Sequence, residues 1–426
     1  FKQKTAYEIM PSLVGSEMCI RDSYRRLLEL VDHLDSIPPS AQEKLLALLG
    51  SDEILALPES ERMHLWNKLV DLVTKHRKFA DAQWAMPPDR VSQIESVANR
   101  IAPKDPYFQY QRLFSERAFD LFEDKRSYEE QWKELENRRQ RAVKEIEDSG
   151  GVWAVLDFAV GVESPWKVGF AFGAVAGTEA DEAILPQLLE SEQKPLEQFA
   201  AGYVKGRFHK YGWNWVDDID TSRWTPMQIA LFLYFLPFMQ NTWERAKHLL
   251  GNDESLYWTK VHVNPYDTAV GLETAVDQLI KYGGPLAAIR CIAKMLHAEQ
   301  PFDTGQAIRA LLAAPRSKEE NSINVYEICE IIKALQNDPS TNPDDLFRVE
   351  WAYLPLLDEH YGVRPKVLER RLAEDPEFFC EVIRLVFRSK KEDSLEEETS
   401  EETRKIAENA YRLLAKWRTP PGSQED

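Results

Sequence analysis

The residues best suited to chemistry lie between positions 209 and 224. They are one histidine, three tryptophans and three aspartates: His209, Trp213, Trp215, Trp224, Asp217, Asp218 and Asp220. Aromatic rings attract organic cations, and carboxylate oxygens are the hard ligands that divalent metal ions such as Ca²⁺ and Mg²⁺ take. The pattern is therefore compatible with an acidic, aromatic-walled pocket for a cation or a basic peptide. It is also compatible with a metal-assisted hydrolytic site around the aspartates and His209.

A purely structural role for this stretch is favoured over the cation-binding pocket and over the hydrolytic site. Tryptophans fill joints between helices, and aspartates remain in water and cap the helix that follows. Here a helix is expected to begin near Thr225. The tryptophans and aspartates named above remain the candidate binding residues. No catalytic residue, metal ligand or cofactor is assigned.

A second stretch that suggests a ligand is GFAFGAVAG, residues 169–177. Its three glycines, Gly169, Gly173 and Gly177, are spaced four apart. That spacing is not the dinucleotide-binding one, and no Lys-Ser/Thr pair follows as in a phosphate-binding loop. Glycines four apart line one face of a helix and let a second helix approach closely. The pattern predicts tight helix packing.

Helices must position these residues, because apolar side chains recur with helical spacing along most of the chain, as in residues 65–73 and 272–280. Residues 258–263 are the only candidate for a short strand. Three residues are expected to cap helix starts: Ser127, Thr225 and Asp375. The fold class predicted is all-α.

The helical pattern divides into three zones. Residues 24–106 are short helices, residues 107–149 are a long polar helix, and residues 152–418 are a helical repeat-like domain. The long helix is expected to stop at the Ser149-Gly150-Gly151 sequence. Residues 128–148 are expected to be mostly solvated, with Trp132 and Leu135 as the main anchors. A heptad-like seam runs along it through Tyr128, Trp132, Leu135, Arg139, Ala142 and Ile146.

Two segments resemble known kinds of protein. LETAVDQLIKYGGPLAAIRCIAKMLHAEQP, residues 272–301, resembles one tetratricopeptide-type hairpin, with a turn at Gly283-Gly284 and a closing proline. Residues 349–387 resemble the helical C-terminal regions of large, mostly uncharacterised bacterial multidomain proteins. The resemblances imply an irregular α-solenoid of stacked helix pairs, in which each pair buries its apolar face against its neighbours.

The first 23 residues are interpreted as an artefact. FKQKTAYEIMPSLVGSEMCIRDS resembles a translated sequencing adapter, with a flow-cell segment encoding residues 2–8 and a transposase end encoding residues 12–23. Such segments are set aside in reasoning about a fold. The natural chain is then expected to begin near Tyr24 and to be an internal piece of a larger, metagenomically derived bacterial protein.

Composition argues against nucleic acid and membrane as partners, although it leaves room for a local basic face. The chain has 426 residues and a net charge of −18, which repels phosphate backbones and anionic lipid. The most apolar stretch, residues 152–177, contains charged residues and a proline and is a poor membrane span. Cys291, Cys329 and Cys380 lie in apolar helical patterns far apart. Buried free thiols in a reducing cytoplasm are expected.

These observations predict a non-catalytic helical scaffold, or a sensing or protein-binding region, of a larger cytoplasmic polypeptide. Its expected partners are proteins or peptides, including other domains of the same polypeptide, and not nucleic acid or membrane. The alternative is an enzyme with the hydrolytic site described above. Convergence of the aspartates and His209 in a cleft would favour the enzyme.

Overall fold

The computed structural model describes residues 17–116, 127–317, 324–357, 362–387 and 401–418. These residues form 21 α-helices and a few short 3-10 turns, and no strand occurs among them. The all-α prediction is confirmed. Within the adapter-like segment, residues 1–16 lie outside the described part, whereas the backbone of residues 17–23 forms the start of the first helix.

The chain divides into two compact units, Phe1–Trp224 and Thr225–Asp426. The boundary falls within residues 152–418, which the sequence pattern presents as one stretch. The helices of the first unit are α1 Glu17–Asp32, α2 Pro39–Leu49, α3 Asp52–Leu55, α4 Glu59–Lys78, α5 Pro88–Ile101, α6 Pro106–Tyr110, α7 Tyr128–Val160, α8 Pro165–Val175, α9 Glu179–Ile184 and α10 Lys194–Asp218.

The first five helices share one hydrophobic core. The apolar stripe predicted for residues 65–73 places Leu65, Leu69 and Val73 in it, together with Val31 of α1 and Ile94 of α5. Helices that follow one another in the chain therefore pack side by side, which is the stacked arrangement expected from the apolar periodicity.

The long helix is shorter at its start and longer at its end than predicted. It begins at Tyr128, because Ser127 and Glu130 form the expected capping box, with Ser127 Oγ accepting from the Glu130 N–H at 3.3 Å. Before it, residues 106–114 form only α6 and a 3-10 turn. At Gly150-Gly151 the helix kinks, with φ of 69° at Gly151, and then continues to Val160. The helix was predicted to end at these glycines, but it only bends there.

The seam along α7 is more buried than predicted. Leu135, Arg139, Ala142 and Ile146 are buried, whereas Tyr128 is exposed, and α7 packs against α8 and α10. The Arg139 guanidinium donates from Nε to the Leu113 carbonyl at 2.8 Å, and its Nη1 lies 3.6 Å from Glu136 Oε2. The expectation of a mostly solvated helix is therefore wrong along this face.

Two pairs of glycines bring α8 and α10 into backbone contact. Gly169 and Gly173 face α10, and Gly202 and Gly206 face α8, so that a Cβ at any of the four would meet backbone atoms of the opposite helix. Close packing at glycines four apart is confirmed. Gly177 lies beyond the end of α8 and takes no part.

The second unit is also built from successive helices. They are α11 Pro226–Tyr234, α12 Gln240–Leu250, α13 Ser255–Trp258, α14 Leu272–Lys281, α15 Pro285–His297, α16 Thr304–Ala313, α17 Val325–Asn337, α18 Pro343–Tyr353, α19 Lys366–Glu374, α20 Pro376–Val386 and α21 Glu401–Arg418. The predicted caps at Thr225 and Asp375 are present. The strand candidate at residues 258–263 is wrong, because α13 is followed by a turn and irregular backbone.

The predicted helix pair at residues 272–301 is confirmed. α14 and α15 are joined by a tight turn in which Gly283 adopts a φ of 86°, a conformation that glycine tolerates best. α15 then packs against α16 and α17, which gives the solenoid-like stacking of neighbouring helices. α15 also supplies lining residues of the groove in the second unit.

The cysteine prediction holds in part. Cys291 and Cys329 are buried free thiols, whereas Cys380 is exposed. Cys380 lies two residues before the fully buried Val382 in α20, and a two-residue step places it on the outer face of the helix. None of the helices in the described ranges has the length and apolarity needed to cross a bilayer.

Candidate functional site

The predicted site residues lie at the end of α10 and in the loop after it. Gly212, with φ of 64°, kinks α10 and separates the exposed His209 from Trp213 to Asp218. Asp220 and Trp224 follow in the loop before α11. The seven residues therefore occupy two differently directed helical segments and a loop.

The tryptophans and aspartates of this stretch have different environments. Trp215 is 6% exposed, and its indole Nε1 donates to Asp181 Oδ2 at 3.2 Å, whereas Trp213 and Trp224 are half-buried. Asp217 and Asp218 are exposed at the end of the helix.

Asp220 is also exposed and serves the loop backbone. Its Oδ1 accepts from the Ser222 N–H at 2.9 Å, and the hydrogen bonds from Ser222 hold the pKa of this carboxyl below its usual value. This is the geometry of an Asx turn, in which a carboxylate stabilises local backbone.

A metal-assisted site finds no support in this geometry. Among the residues that the structure describes, no three histidine, cysteine, aspartate or glutamate side chains are gathered closely enough to hold a metal ion. His209 instead stacks obliquely on Phe170, with 5.7 Å between the ring centroids.

Trp215 belongs to a buried ionic cluster formed with Asp181, Tyr203 and Arg207. Asp181 Oδ1 accepts from Arg207 Nε at 2.9 Å and from the Tyr203 hydroxyl at 2.7 Å, and its Oδ2 accepts from Arg207 Nη2 at 2.8 Å. Burial, reinforced by Asp181, raises the pKa of Tyr203. The cluster has the bidentate geometry of a strong arginine–carboxylate pair.

The same guanidinium completes the end of α8. Arg207 Nη1 donates to the Ala176 carbonyl at 2.8 Å, and Nη2 donates to the Gly177 carbonyl at 2.6 Å. The contact with Ala176, the C-cap residue of α8, satisfies a carbonyl that the helix end leaves without an intrahelical partner. Because its donors and acceptors are all engaged inside the protein, the cluster is a structural joint of α8, α9 and α10.

A groove in the second unit is a better candidate for binding. It encloses about 250 Å³, and its charged and aromatic lining residues come from the segment before α14, from α15 and from α17: His262, Tyr266, Arg290, Lys294, His297 and Glu327. We call it the α15 groove. Arg290, Lys294 and His297 are spaced i, i+4, i+7, which places all three on one face of α15.

Hydrogen bonds hold the segment that faces α15. Asn264 Nδ2 donates to Asp267 Oδ1 at 2.6 Å, and Asp267 Oδ2 accepts from the Phe238 N–H at 2.9 Å. The adjacent Tyr266 is 72% exposed, and Lys294 Nζ lies 4.6 Å from its ring centroid. The cation–π contact with Lys294 holds the exposed ring of Tyr266 in place, so the ring is already positioned to contact a ligand.

Two polar atoms at the groove have unsatisfied hydrogen-bonding capacity. Arg290 Nε and Glu327 Oε2 are buried, and neither has a hydrogen-bond partner among the described residues. A buried polar atom without a partner costs about 1–3 kcal/mol. A ligand that supplied an acceptor and a donor would recover that free energy.

Comparison with known proteins gives no assignment: no protein family, no curated protein and no solved structure matches the chain. Local sequence patterns do not predict the α15 groove, although they contain one signal of it. Basic residues at 290, 294 and 297 share a helix face in a chain of net charge −18. The facing segment and Glu327 could not be placed beside them from local patterns.

Proposed function

We propose that this chain is a non-catalytic helical scaffold that binds a protein or peptide, and that the α15 groove is its contact point. The observation that carries the proposal is this open groove, which combines an exposed aromatic ring with cationic side chains on packed helices. Tyrosine and arginine are the side chains that most often dominate the free energy of protein–protein contacts.

The stacking of helices supports this proposal. α15 packs against α14, α16 and α17, so the groove is positioned by several helices and not by a single loop. A rigid surface loses little conformational freedom when it binds, and more of the interaction free energy then appears as affinity.

We also propose that the chain is part of a larger bacterial protein in the cytoplasm. The resemblance of residues 349–387 supports membership in a larger bacterial protein, whose other domains are then candidate partners. The buried free thiols of Cys291 and Cys329 support a reducing, cytoplasmic compartment.

Selection from a displayed library of random peptides tests the proposal. The chain is the bait, and the enriched peptides are measured individually by fluorescence anisotropy. We expect dissociation constants in the micromolar range and at least tenfold weaker binding to an R290A/K294A variant. A K281A/R309A variant, which loses the same charge from exposed positions of the second unit, serves as the control. Failure to enrich any peptide above a no-bait selection contradicts the proposed function.

A further inference from the structure

The charge of the α15 groove is opposite to that of the chain. Arg290 and Lys294 are cationic, and Glu327 is the one acidic side chain among the described residues that line the groove. The whole chain carries a net charge of −18. A concave site with an excess of one sign of charge concentrates ligands of the opposite sign. The groove therefore favours an anionic group.

The two buried atoms without hydrogen-bond partners indicate which groups the ligand carries. The buried Nε of Arg290 is a donor without an acceptor, and the buried Oε2 of Glu327 is an acceptor without a donor among the described residues. Arginine recognises carboxylate and phosphate through two parallel N–H donors, of which Nε is one. A complementary ligand carries an oxyanion and, close to it, a hydrogen-bond donor.

A peptide with an acidic side chain has both groups. Its side-chain carboxylate or phosphate supplies the oxyanion, and its backbone supplies N–H donors. The exposed ring of Tyr266 at the groove then offers an apolar surface to the neighbouring part of the peptide. The enclosed volume of about 250 Å³ suits one side chain and its adjoining backbone better than a whole folded partner.

We propose that the α15 groove binds an acidic side chain of a peptide, with its oxyanion on Arg290 and Lys294 and a neighbouring N–H donating to Glu327. This inference rests on the proposed function and names the chemical class of the partner. Carboxylate and phosphate share the chemistry of recognition, and the experiment distinguishes these two sources of the anion.

The test uses three peptide pools that differ only in a fixed central residue: glutamate, phosphoserine or glutamine, each between the same randomised flanks. Binding to the full chain is measured at about 50 mM and 500 mM salt. We expect the glutamate or the phosphoserine pool to bind at least tenfold more tightly than the glutamine pool at low salt. The advantage should shrink at high salt, because salt screens charge pairs. The tighter of the two acidic pools identifies the source of the anion.

Two variants test whether the preference for acidic peptides depends on the α15 groove. R290Q and K294Q, each checked by circular dichroism for an unchanged helical signal, should each abolish the preference for the acidic pools. R309Q is the matched control, because Arg309 is an exposed cation on α16 outside the groove. Equal binding of all three pools, or a preference that survives both R290Q and K294Q, overturns the inference and leaves the proposed peptide binding intact.

A peptide-independent measurement separates the inference from the proposed function. Inorganic phosphate is titrated into the ¹⁵N-labelled chain, and the side-chain Nε resonance of Arg290 is assigned by its loss in R290Q. A saturable shift of that resonance, absent in K294Q, supports the anion site even if no peptide pool binds. If no pool binds and phosphate does not move the resonance, both the inference and the proposed function fail.

Discussion

Arg207 is the largest fully buried side chain among the described residues, and it carries a charge. Its burial is tolerated because Asp181 and the carbonyls at the end of α8 satisfy its guanidinium. Removing one member of a buried ion pair leaves the other charge without compensation, which costs about 3–5 kcal/mol. A single residue in this cluster therefore has a large effect on stability.

We predict that D181N lowers the free energy of unfolding of the first unit by about 3–5 kcal/mol. The physical reason is that the neutral amide no longer balances the charge of Arg207. Urea denaturation followed by circular dichroism measures the effect. D218N, at the exposed end of α10, is the control and should change stability by less than about 0.5 kcal/mol. A D181N protein as stable as D218N would contradict the structural role of the cluster.

His76, in α4, is a second residue whose environment determines its charge. It is buried, its Nδ1 accepts from the Met86 N–H at 3.0 Å, and Asp35 Oδ2 lies 3.7 Å from its Nε2. Burial, together with the nearby Lys75, lowers the pKa of His76 against the raising effect of Asp35. The native state therefore favours the neutral imidazole.

We predict that His76 makes the first unit less stable as the pH falls from about 7.5 to 5.5. In that range an imidazole in the unfolded chain, with a pKa of about 6.5, takes up a proton that the native state resists. The free energy of unfolding should therefore fall more in the wild type than in H76Q. H64Q, at an exposed position of the same helix, should retain the wild-type slope. Equal slopes in the wild type and H76Q would exclude this role for His76.

At the scale of elements, the α8–α10 contact depends on the absence of side chains. A Cβ at position 202 would run into the carbonyl oxygen of Trp166 and the backbone nitrogen of Phe170. A backbone obstacle cannot rotate away as a side chain can. The two helices must therefore separate if any of the four glycines is enlarged.

We predict that G202A destabilises the first unit by about 1–3 kcal/mol or more, as overpacking of a tight contact does. Thermal and urea denaturation measure the change. G50A is the matched control, because a Cβ there would lie in ordinary contact, 3.4 Å from the Leu46 carbonyl oxygen, at a φ of −86°. Comparable stability of G202A and G50A would mean that the helices tolerate a wider spacing.

At the scale of the whole molecule, the chain contains two compact units, each with its own hydrophobic core. One core is formed by α1 to α5 in the first unit, and another is formed by residues of α18 to α21 and Leu354 in the second. Units of about 200 residues can bury enough apolar surface to fold alone.

We predict that residues 17–224 and 225–418 fold when they are expressed separately. Each fragment should show the far-ultraviolet circular dichroism of a helical protein and a cooperative thermal transition, because its core is internal to it. The full chain, measured under the same conditions, provides the reference signal. A fragment that remains unfolded alone would show that its stability requires the other unit.

Local sequence patterns predict the all-α fold class, the helix caps at Ser127, Thr225 and Asp375, and the α14–α15 hairpin. These features depend on residues a few positions apart, so local spacing and capping chemistry predict them. The buried seam of α7 and the kink at Gly150-Gly151 were predicted incompletely, since burial and helix continuation depend on the neighbouring helices.

Which side chains from distant positions contact one another follows from the packing of the helices. Asp181 and Arg207 are 26 positions apart, and the α15 groove combines α15 with residues before α14 and with Glu327 of α17. Such contacts depend on how helices pack against one another, and the apolar spacing of one helix does not encode that arrangement. The residues between 209 and 224 illustrate the same limit: composition marked them as unusual, and packing placed Trp215 in a structural joint and left the aspartates in solvent.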